Sequence, residues 1–288
     1  MKVTLLGTGS PEPNANRASS GYLVNIGDDT ILLDCGGGVF DRLLQAEHTP
    51  SDVTHLFFSH LHSDHMMDYA RLIHAAWDES ADDYGRPPVK VFGPPPLKTI
   101  NEKLFGKDGV FATDLSARTE HSGSQEVWLA RGGSLPRAWP NPDITHIEPG
   151  YRYVSDNGWT LSSCQVPHAQ PQLECLAFRI DYQGKSFVYS GDAALCSELE
   201  TLAANCDVLL HWCYRQYGDQ RSPTIAKLSP DPVQIAQMAT RIGAGKLYLT
   251  HLRNNMDTEE SHNDIRAQWS EHFSGESHIA HDLMTISL

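Results

Sequence analysis

In the stretch THLFFSHLHSDH, residues 54–65, a short apolar run is followed at once by a dense group of histidines with one aspartate. The apolar run THLFFSH is too short for a helix and suits a buried strand. The helical spacing of MMDYARLIHAAW (66–77) begins directly after it. The polar group therefore lies in a connection from a strand to a helix, where side chains leave the core and can line a cleft.

The polar group has the residue types and the spacing of a metal site. His60 and His62 alternate along an extended segment, so both side chains point the same way and can bind one cation. The chain then turns, which lets Asp64 and His65 reach a second cation nearby. Neutral imidazole and carboxylate suit Zn²⁺, Mn²⁺ or Fe ions. The alternative interpretation is a loop of solvated histidines.

Three later apolar runs end in residues of the same chemical type. His168 follows CQVP, Asp192 closes FVYSGD, and His251 closes LYLTH. Taken alone, each is more simply a structural residue at a strand end. Taken with the earlier motif, they complete a set of seven ligands, enough for two cations that share a carboxylate and keep a position open for water.

A faint internal repeat predicts two similar halves, about 1–105 and 150–288. YLVNIGDDTILLD, ending at Asp34, is similar to LAFRIDYQGKSFVYSGD, ending at Asp192, and both have the pattern of a hairpin. Each is followed by a helical stretch and then by an apolar run that ends in histidine. Chance similarity of two hairpins is the alternative. A real repeat predicts two similar sheets packed face to face, with their strand ends meeting at one edge.

Residues 107–146 interrupt this pattern. They are rich in Gly, Ser, Arg and Trp and lack a clear periodicity, and the simpler interpretation is an ordered surface excursion. Long irregular segments often carry function, so a lid over the substrate is the alternative. We otherwise treat residues 1–288 as a single domain.

Composition narrows the class of protein. No unbroken apolar stretch among the 288 residues approaches the roughly 20 that a membrane helix needs, so no membrane association is expected. The N-terminus has no secretory signal pattern, and the six cysteines form no Cys-x-x-Cys pair, which together predict a cytoplasmic protein with reduced thiols. The formal charge of −14, without a Lys/Arg cluster, makes nucleic acid a less favoured partner than a small molecule.

The motifs GTGSPEPNANRASSGYLV, LLDCGGG, SHLHSDH, SGD and LTH occur in the order seen in the metallo-β-lactamase superfamily, which the chain resembles over nearly its whole length. The details are most similar to the ribonuclease Z and arylsulfatase-like branch. This resemblance implies an α/β (α+β) fold: a four-layer αββα sandwich of two mixed sheets flanked by helices, with the metal site at one edge. It also implies two divalent metal ions, Zn²⁺ first, with Mn²⁺ or Fe as alternatives.

The resemblance also assigns a role to each candidate residue. Asp34, in LLDCGGG, matches an aspartate that orients a ligand histidine from behind, and a role in capping the next turn is the alternative. The implied ligands of the first ion are His60, His62 and His168, and those of the second are Asp64, His65 and His251, with Asp192 bridging the two ions.

We therefore predict a hydrolase in which a metal-bridging hydroxide attacks a small ester, with a phosphodiester or sulfate ester as the first choice. Asp64 is expected to orient the nucleophile. His211 is the candidate proton donor to the leaving group, because a histidine titrates near neutral pH; a packed strand-end histidine is the alternative. Tyr214, Arg215 and Tyr217 could contact the substrate, although an ordinary solvated loop is the simpler interpretation of that segment.

Two alternatives stay open. The first is a ribonuclease Z-type tRNA 3′ endonuclease, but here the His-Glu-Ala-Thr motif of that family is replaced by His211-Trp212-Cys213-Tyr214, which lacks the glutamate. The tRNA-binding arm of that family lies between the third metal histidine and the bridging aspartate, an interval that is mostly a hairpin in this chain. The second is a metal-binding redox or sensor protein on the same scaffold. A homodimer is compatible with the sequence.

Overall fold

Within the part of the chain that the structure describes, the strands form two sheets of seven strands each. The computed structural model describes residues 1–80, 87–219 and 223–288. The strands are β1 (Lys2–Gly7), β2 (Gly21–Ile26), β3 (Asp29–Leu33), β4 (His55–Phe57), β5 (Lys90–Gly93), β6 (Asp143–His146), β7 (Arg152–Val154), β8 (Thr160–Gln165), β9 (Leu176–Tyr182), β10 (Lys185–Tyr189), β11 (Val208–Trp212), β12 (Lys246–Thr250), β13 (Glu276–Ile279) and β14 (Thr285–Ser287).

Helices follow several of these strands, and most of them cover the outer faces of the sheets. They are α1 (Val39–Gln45), α2 (Ser63–Met66), α3 (Tyr69–Glu79), α4 (Leu97–Phe105), α5 (Ala112–Glu120), α6 (Ser122–Ala130), α7 (Ser197–Leu202), α8 (Pro223–Leu228), α9 (Pro232–Arg241) and α10 (Glu259–Ser270). None of these described helices combines the length and the apolar composition that a bilayer crossing requires.

The two sheets have the same topology. The first has the order β14-β1-β2-β3-β4-β5-β6 and the second the order β7-β8-β9-β10-β11-β12-β13. In each sheet the first four strands in this order pair antiparallel. From the fourth strand onward, which is β3 in one sheet and β10 in the other, the neighbouring strands pair parallel. The inner parallel strands β4, β5, β11 and β12 are covered on both faces, which explains why they appear in the sequence as short continuous apolar runs rather than as alternating patterns.

Three apolar clusters pack between adjacent layers of the described structure. Between the sheets lie large rings that include Phe57, Trp159 and Phe178, all fully buried. A second cluster joins the first sheet to α1, α3, α4 and α5, and a third joins the other sheet to α7, α9 and α10. The predicted four-layer αββα sandwich of two mixed sheets is therefore confirmed.

Residues 107–146 are ordered, and the segment contains α5, α6 and the edge strand β6. Each of the two helices buries only one or two side chains, Leu115 with Thr119 in α5 and Trp128 in α6, so neither has the apolar stripe that sequence periodicity detects. The segment is attached to α3, where the Arg137 guanidinium lies 3.6 Å from the centre of the Trp77 ring. A lid function stays a prediction.

The last strand belongs by sequence to the second half of the chain but lies in the first sheet. β14 pairs antiparallel with β1, with Val3 opposite Ile286. A short edge strand carries little sequence signal, and its sheet is chosen by long-range packing.

Asp29 links the two sheets at the edge where β3 begins. Its Oδ2 accepts hydrogen bonds from Trp159 Nε1 (2.7 Å), Asn157 Nδ2 (2.7 Å) and Ser155 Oγ (3.0 Å), all on the segment between β7 and β8. Burial raises the pKa of Asp29, but these three hydrogen bonds and the nearby His55 outweigh it and hold the pKa below the ordinary value of 3.8. Asp29 thus stabilises the sandwich as an anion.

We predict that Asp29→Ala lowers the free energy of unfolding by about 1–3 kcal/mol, because it leaves the buried Trp159 N–H without an acceptor. Because the folded pKa is depressed, the contribution is present above pH 3.8 and is lost as the pH falls through the folded pKa. Urea unfolding at pH 7, 5 and 3 should show the difference from wild type shrinking at pH 3. Asp28→Ala, at the exposed neighbouring residue, is the control. An equal loss in both variants would contradict this role.

Candidate metal centre

The candidate residues lie where the carboxyl ends of the parallel strands meet. Residues 60–65 follow β4, Asp192 follows β10, and His251 follows β12 directly. The two sheets are joined at this edge by backbone hydrogen bonds, including Leu176 N to Ser59 O at 2.9 Å. The side chains that come together as possible metal ligands are His60, His62, Asp64, His65, His168, Asp192 and His251.

Three imidazoles form the first group. His60 Nε2 lies 2.9 Å from His62 Nδ1, and that atom lies 3.2 Å from His168 Nε2. Ligand atoms about 2.0–2.1 Å from a tetrahedral zinc ion are separated by about 3.3 Å, so this spacing is close to what one ion requires. Burial is the main cause of the lowered pKa of each of these rings. They are therefore neutral at pH 7 and keep lone pairs for a cation.

The second group combines both ligand types, and Asp192 lies between the two groups. His251 Nε2 is 3.2 Å from Asp64 Oδ2, and His65 Nε2 is 3.5 Å from the same oxygen. Asp192 Oδ2 lies 3.3 Å from His251 Nε2, 3.5 Å from His65 Nε2 and 3.7 Å from His168 Nε2. One carboxylate oxygen is thus adjacent to candidate ligands of both groups, as a shared ligand would be.

The electrostatics of the site fit a bound cation. His65 Nε2 and Asp192 Oδ1 are buried and have no hydrogen-bond partner among the described residues. Burial raises the pKa of Asp192, but His251 and His65 outweigh it and hold the pKa well below the usual range. Burial lowers the pKa of His65, but Asp192 and Asp34 outweigh it and raise the pKa well above the usual range. The site therefore requires positive charge beside Asp192, which divalent ions would supply.

Asp34 is hydrogen-bonded to the back of the site. Its Oδ2 accepts from His65 Nδ1 (2.8 Å), Ser59 Oγ (2.7 Å) and Tyr189 OH (2.8 Å), and its Oδ1 accepts from Ser59 N (2.7 Å). The bond to His65 fixes the ring with its proton on Nδ1, so Nε2 faces the other candidate ligands. Sequence reasoning identified Asp34 but missed Ser59 and Tyr189. Neither residue type signals such a role, and only the fold brings them to the carboxylate.

Glycines hold the backbone of the motif close to the sheets. A Cβ atom on Gly36, in LLDCGGG, would lie 2.1 Å from the carbonyl oxygen of Asp64. Gly191, in SGD, has a φ of +55°, and a Cβ there would lie 2.6 Å from Leu176 O. Both positions therefore require glycine, because the ligand-bearing loop lies closer to neighbouring backbone than a side chain allows.

His211 does not fit the reason for which it was predicted as a proton donor. It is fully buried, its Nδ1 donates to Trp212 O at 2.7 Å, and burial lowers its pKa to about 4. The charge on Asp192 raises that pKa but does not offset burial. At neutral pH the ring is therefore uncharged, and its Nε2 is an acceptor rather than a donor. The alternative of a packed strand-end histidine fits this environment better, and proton donation by His211 stays a prediction.

The residues that follow His211 separate into three environments. Arg215 is buried and donates to Ser229 O (2.9 Å) and Asp231 Oδ2 (3.1 Å), so it is a structural residue and not a substrate contact. Tyr217 is exposed. The Tyr214 ring, in contrast, lies 6.0 Å from the His251 ring, at the margin of the site.

Comparisons with known proteins identify the family. The model of the β-lactamase superfamily domain matches residues 29–252. Ribonuclease Z of Mycolicibacterium gilvum (strain PYR-GCK) is 30% identical over 294 residues, which cover 100% of this chain and 96% of that protein. The predicted superfamily and its ribonuclease Z branch are both confirmed.

Solved structures show the same fold. The metallo-β-lactamase fold protein YhfI from Bacillus subtilis superimposes with a TM-score of 0.76 at 22% identity, covering 99% of this chain and 98% of that one. The short form of human tRNase Z superimposes with a TM-score of 0.68 at 18% identity, covering 100% and 99%. At these identities the similarity concerns the fold alone.

Asp34→Asn keeps the shape of the side chain and tolerates the left-handed backbone at this residue, where φ is 59°, but removes the negative charge behind His65. We predict a loss of about 10- to 100-fold in affinity for Zn²⁺, measured by competition with a chromophoric chelator. Asp68→Asn is the matched control, because Asp68 accepts from the N–H groups of Gly38 and Phe40 instead of from a candidate ligand. Wild-type affinity in Asp34→Asn would contradict the role.

Proposed function

The chain belongs to the ribonuclease Z branch of the β-lactamase superfamily, a family of hydrolases, and we propose that it is a binuclear metal-dependent phosphodiesterase that cleaves RNA. One observation carries this proposal: seven candidate nitrogen and oxygen ligands converge, three in each of two adjacent groups and Asp192 between the groups. The ribonuclease relatives favour this RNA-cleaving alternative over the small-ester hydrolase that sequence analysis placed first.

We assign the ligands as the resemblance does. The first ion would be held by His60, His62 and His168, the second by Asp64, His65 and His251, and Asp192 would be shared by both. The distances among these groups support the assignment, as does the unpartnered, buried oxygen of Asp192. The ligand types favour Zn²⁺, with Mn²⁺ or Fe as alternatives.

When bound, a pair of divalent ions lowers the pKa of water towards neutrality and offsets negative charge on a phosphate. The residues of the chain hold the geometry for this chemistry. Asp34 fixes His65 by a 2.8 Å hydrogen bond, and Ser59 Oγ lies 3.0 Å from His60 Nδ1, so both rings keep a set orientation. Asp64, with a lowered pKa, is an anion that can accept a hydrogen bond from the attacking water.

A small phosphodiester is the second candidate substrate, and two observations favour it. The hairpin of β9 and β10 occupies most of the interval between His168 and Asp192, where the ribonuclease Z family carries its tRNA-binding arm. The chain also has a formal charge of −14, which opposes binding of a long polyanion. A cytoplasmic location and a homodimer stay predictions.

We predict that the protein hydrolyses bis(p-nitrophenyl) phosphate and precursor tRNA only after reconstitution with Zn²⁺ or Mn²⁺. His62→Ala and Asp192→Ala should each lower turnover by ~10³-fold or more, because they remove a ligand of the first group and the shared carboxylate. Rates are measured on chelator-treated and reconstituted protein. His48→Ala, at a surface histidine that lies 3.8 Å from Asp52, is the control and should keep the wild-type rate.

The two substrates separate the two candidates. Cleavage of precursor tRNA at its 3′ side supports the ribonuclease, whereas hydrolysis of the diester alone supports the small phosphodiester. Turnover by His62→Ala or Asp192→Ala at the wild-type rate in metal-free buffer would contradict the metal-dependent mechanism itself.

A further inference from the structure

Trp212 lies among the three candidate ligands that the second half of the chain supplies. It ends β11, which is hydrogen-bonded to β10 on one side and to β12 on the other. Asp192 follows β10 and His251 follows β12, so the register of the sheet places Trp212 between them, with Trp212 opposite Thr250. Its side chain is buried, only 4% exposed.

The indole of Trp212 contacts each of these ligands or its immediate neighbour. Its ring centre lies 5.4 Å from that of His168 and 5.5 Å from that of His251, with interplanar angles of 82° and 81°. Its Nε1 donates to the carbonyl oxygen of Ala193, the residue after Asp192, at 2.6 Å. Edge-to-face packing at these distances favours one relative orientation of the rings.

These contacts bear on how the ring of His251 is oriented. A ligand histidine usually donates its second ring N–H to an oxygen acceptor, which sets the orientation of the ring. His65 has Asp34 for this purpose and His60 has Ser59, but His251 Nδ1 is buried and has no partner among the residues that the structure describes. The rings of Trp212 and Tyr214 pack on His251 instead.

We propose that Trp212 is a positioning residue of the metal centre that orients His168 and His251, one ligand of each ion, by ring packing. The proposal rests on the proposed function, since it takes both histidines as ligands. It extends that function by identifying the residue that couples the two ion positions within the second sheet.

The test measures metal binding in Trp212→Leu, which keeps an apolar side chain but removes the ring. On chelator-treated protein, we expect Zn²⁺ affinity at both positions to fall by about 10- to 100-fold, as for other residues that orient metal ligands. The visible spectrum of the Co²⁺-substituted protein should also change, because it reports the geometry of the ligands. Trp212→Phe keeps a ring but loses the N–H donated to Ala193, and we expect an affinity between those of wild type and Trp212→Leu.

Trp269→Leu is the matched control. Trp269 is equally buried (3% exposed) in the core formed by α10 and the second sheet, so its loss lowers the unfolding temperature without changing metal affinity. Wild-type affinity and a wild-type Co²⁺ spectrum in Trp212→Leu would overturn the proposal while leaving the proposed function intact, and so would an equal affinity loss in Trp269→Leu.

Two further outcomes are decisive. If Trp212→Leu does not fold, wild-type affinity in Trp212→Phe overturns the proposal. If the wild-type protein itself binds no Zn²⁺, the proposed function fails and the role of Trp212 fails with it.

Discussion

The buried carboxylate of Asp192 requires positive charge beside it, and the rest of the site is arranged around that requirement. An isolated anion in the interior of a protein is strongly destabilising unless it is paired or binds a metal. His65 lies between two such groups, with Nδ1 2.8 Å from Asp34 and Nε2 3.5 Å from Asp192. His65 contacts both carboxylates, but the second oxygen of Asp192, Oδ1, still has no hydrogen-bond partner among the described residues. A site built in this way is stabilised by cations.

The fold supplies this arrangement through its sheet edges. In each sheet the parallel strands end at the same edge, so residues far apart in sequence, such as His60 and His251, become neighbours. The approach is close enough to require glycine at residue 36 and a left-handed backbone at Asp34 and His251, with φ values of 59° and 61°. Non-glycine residues seldom adopt that conformation. Its presence at two site residues indicates that the fold tolerates an unfavourable local backbone conformation in order to position these side chains.

Much of the fold and of the site could be predicted from the sequence, because the signals are local. The run before His60 and the hairpin before Asp192 have distinct patterns, and the structure brings the seven candidate ligands together. The short helices α5 and α6 and the strand β14 were missed, since they depend on long-range packing rather than on periodicity. The burial that lowers the pKa of His211 to about 4 is also a property of the folded core, which the sequence does not show. The roles of Ser59, Tyr189 and Trp212 likewise exist only in three dimensions.

The most direct measurement is anomalous diffraction at the zinc absorption edge from crystals of the reconstituted protein. Two peaks are expected, one contacting His60, His62 and His168 and the other contacting Asp64, His65 and His251, with Asp192 between them. A single peak elsewhere on the surface, or no peak with these side chains hydrogen-bonded only to one another and to water, would contradict the central claim.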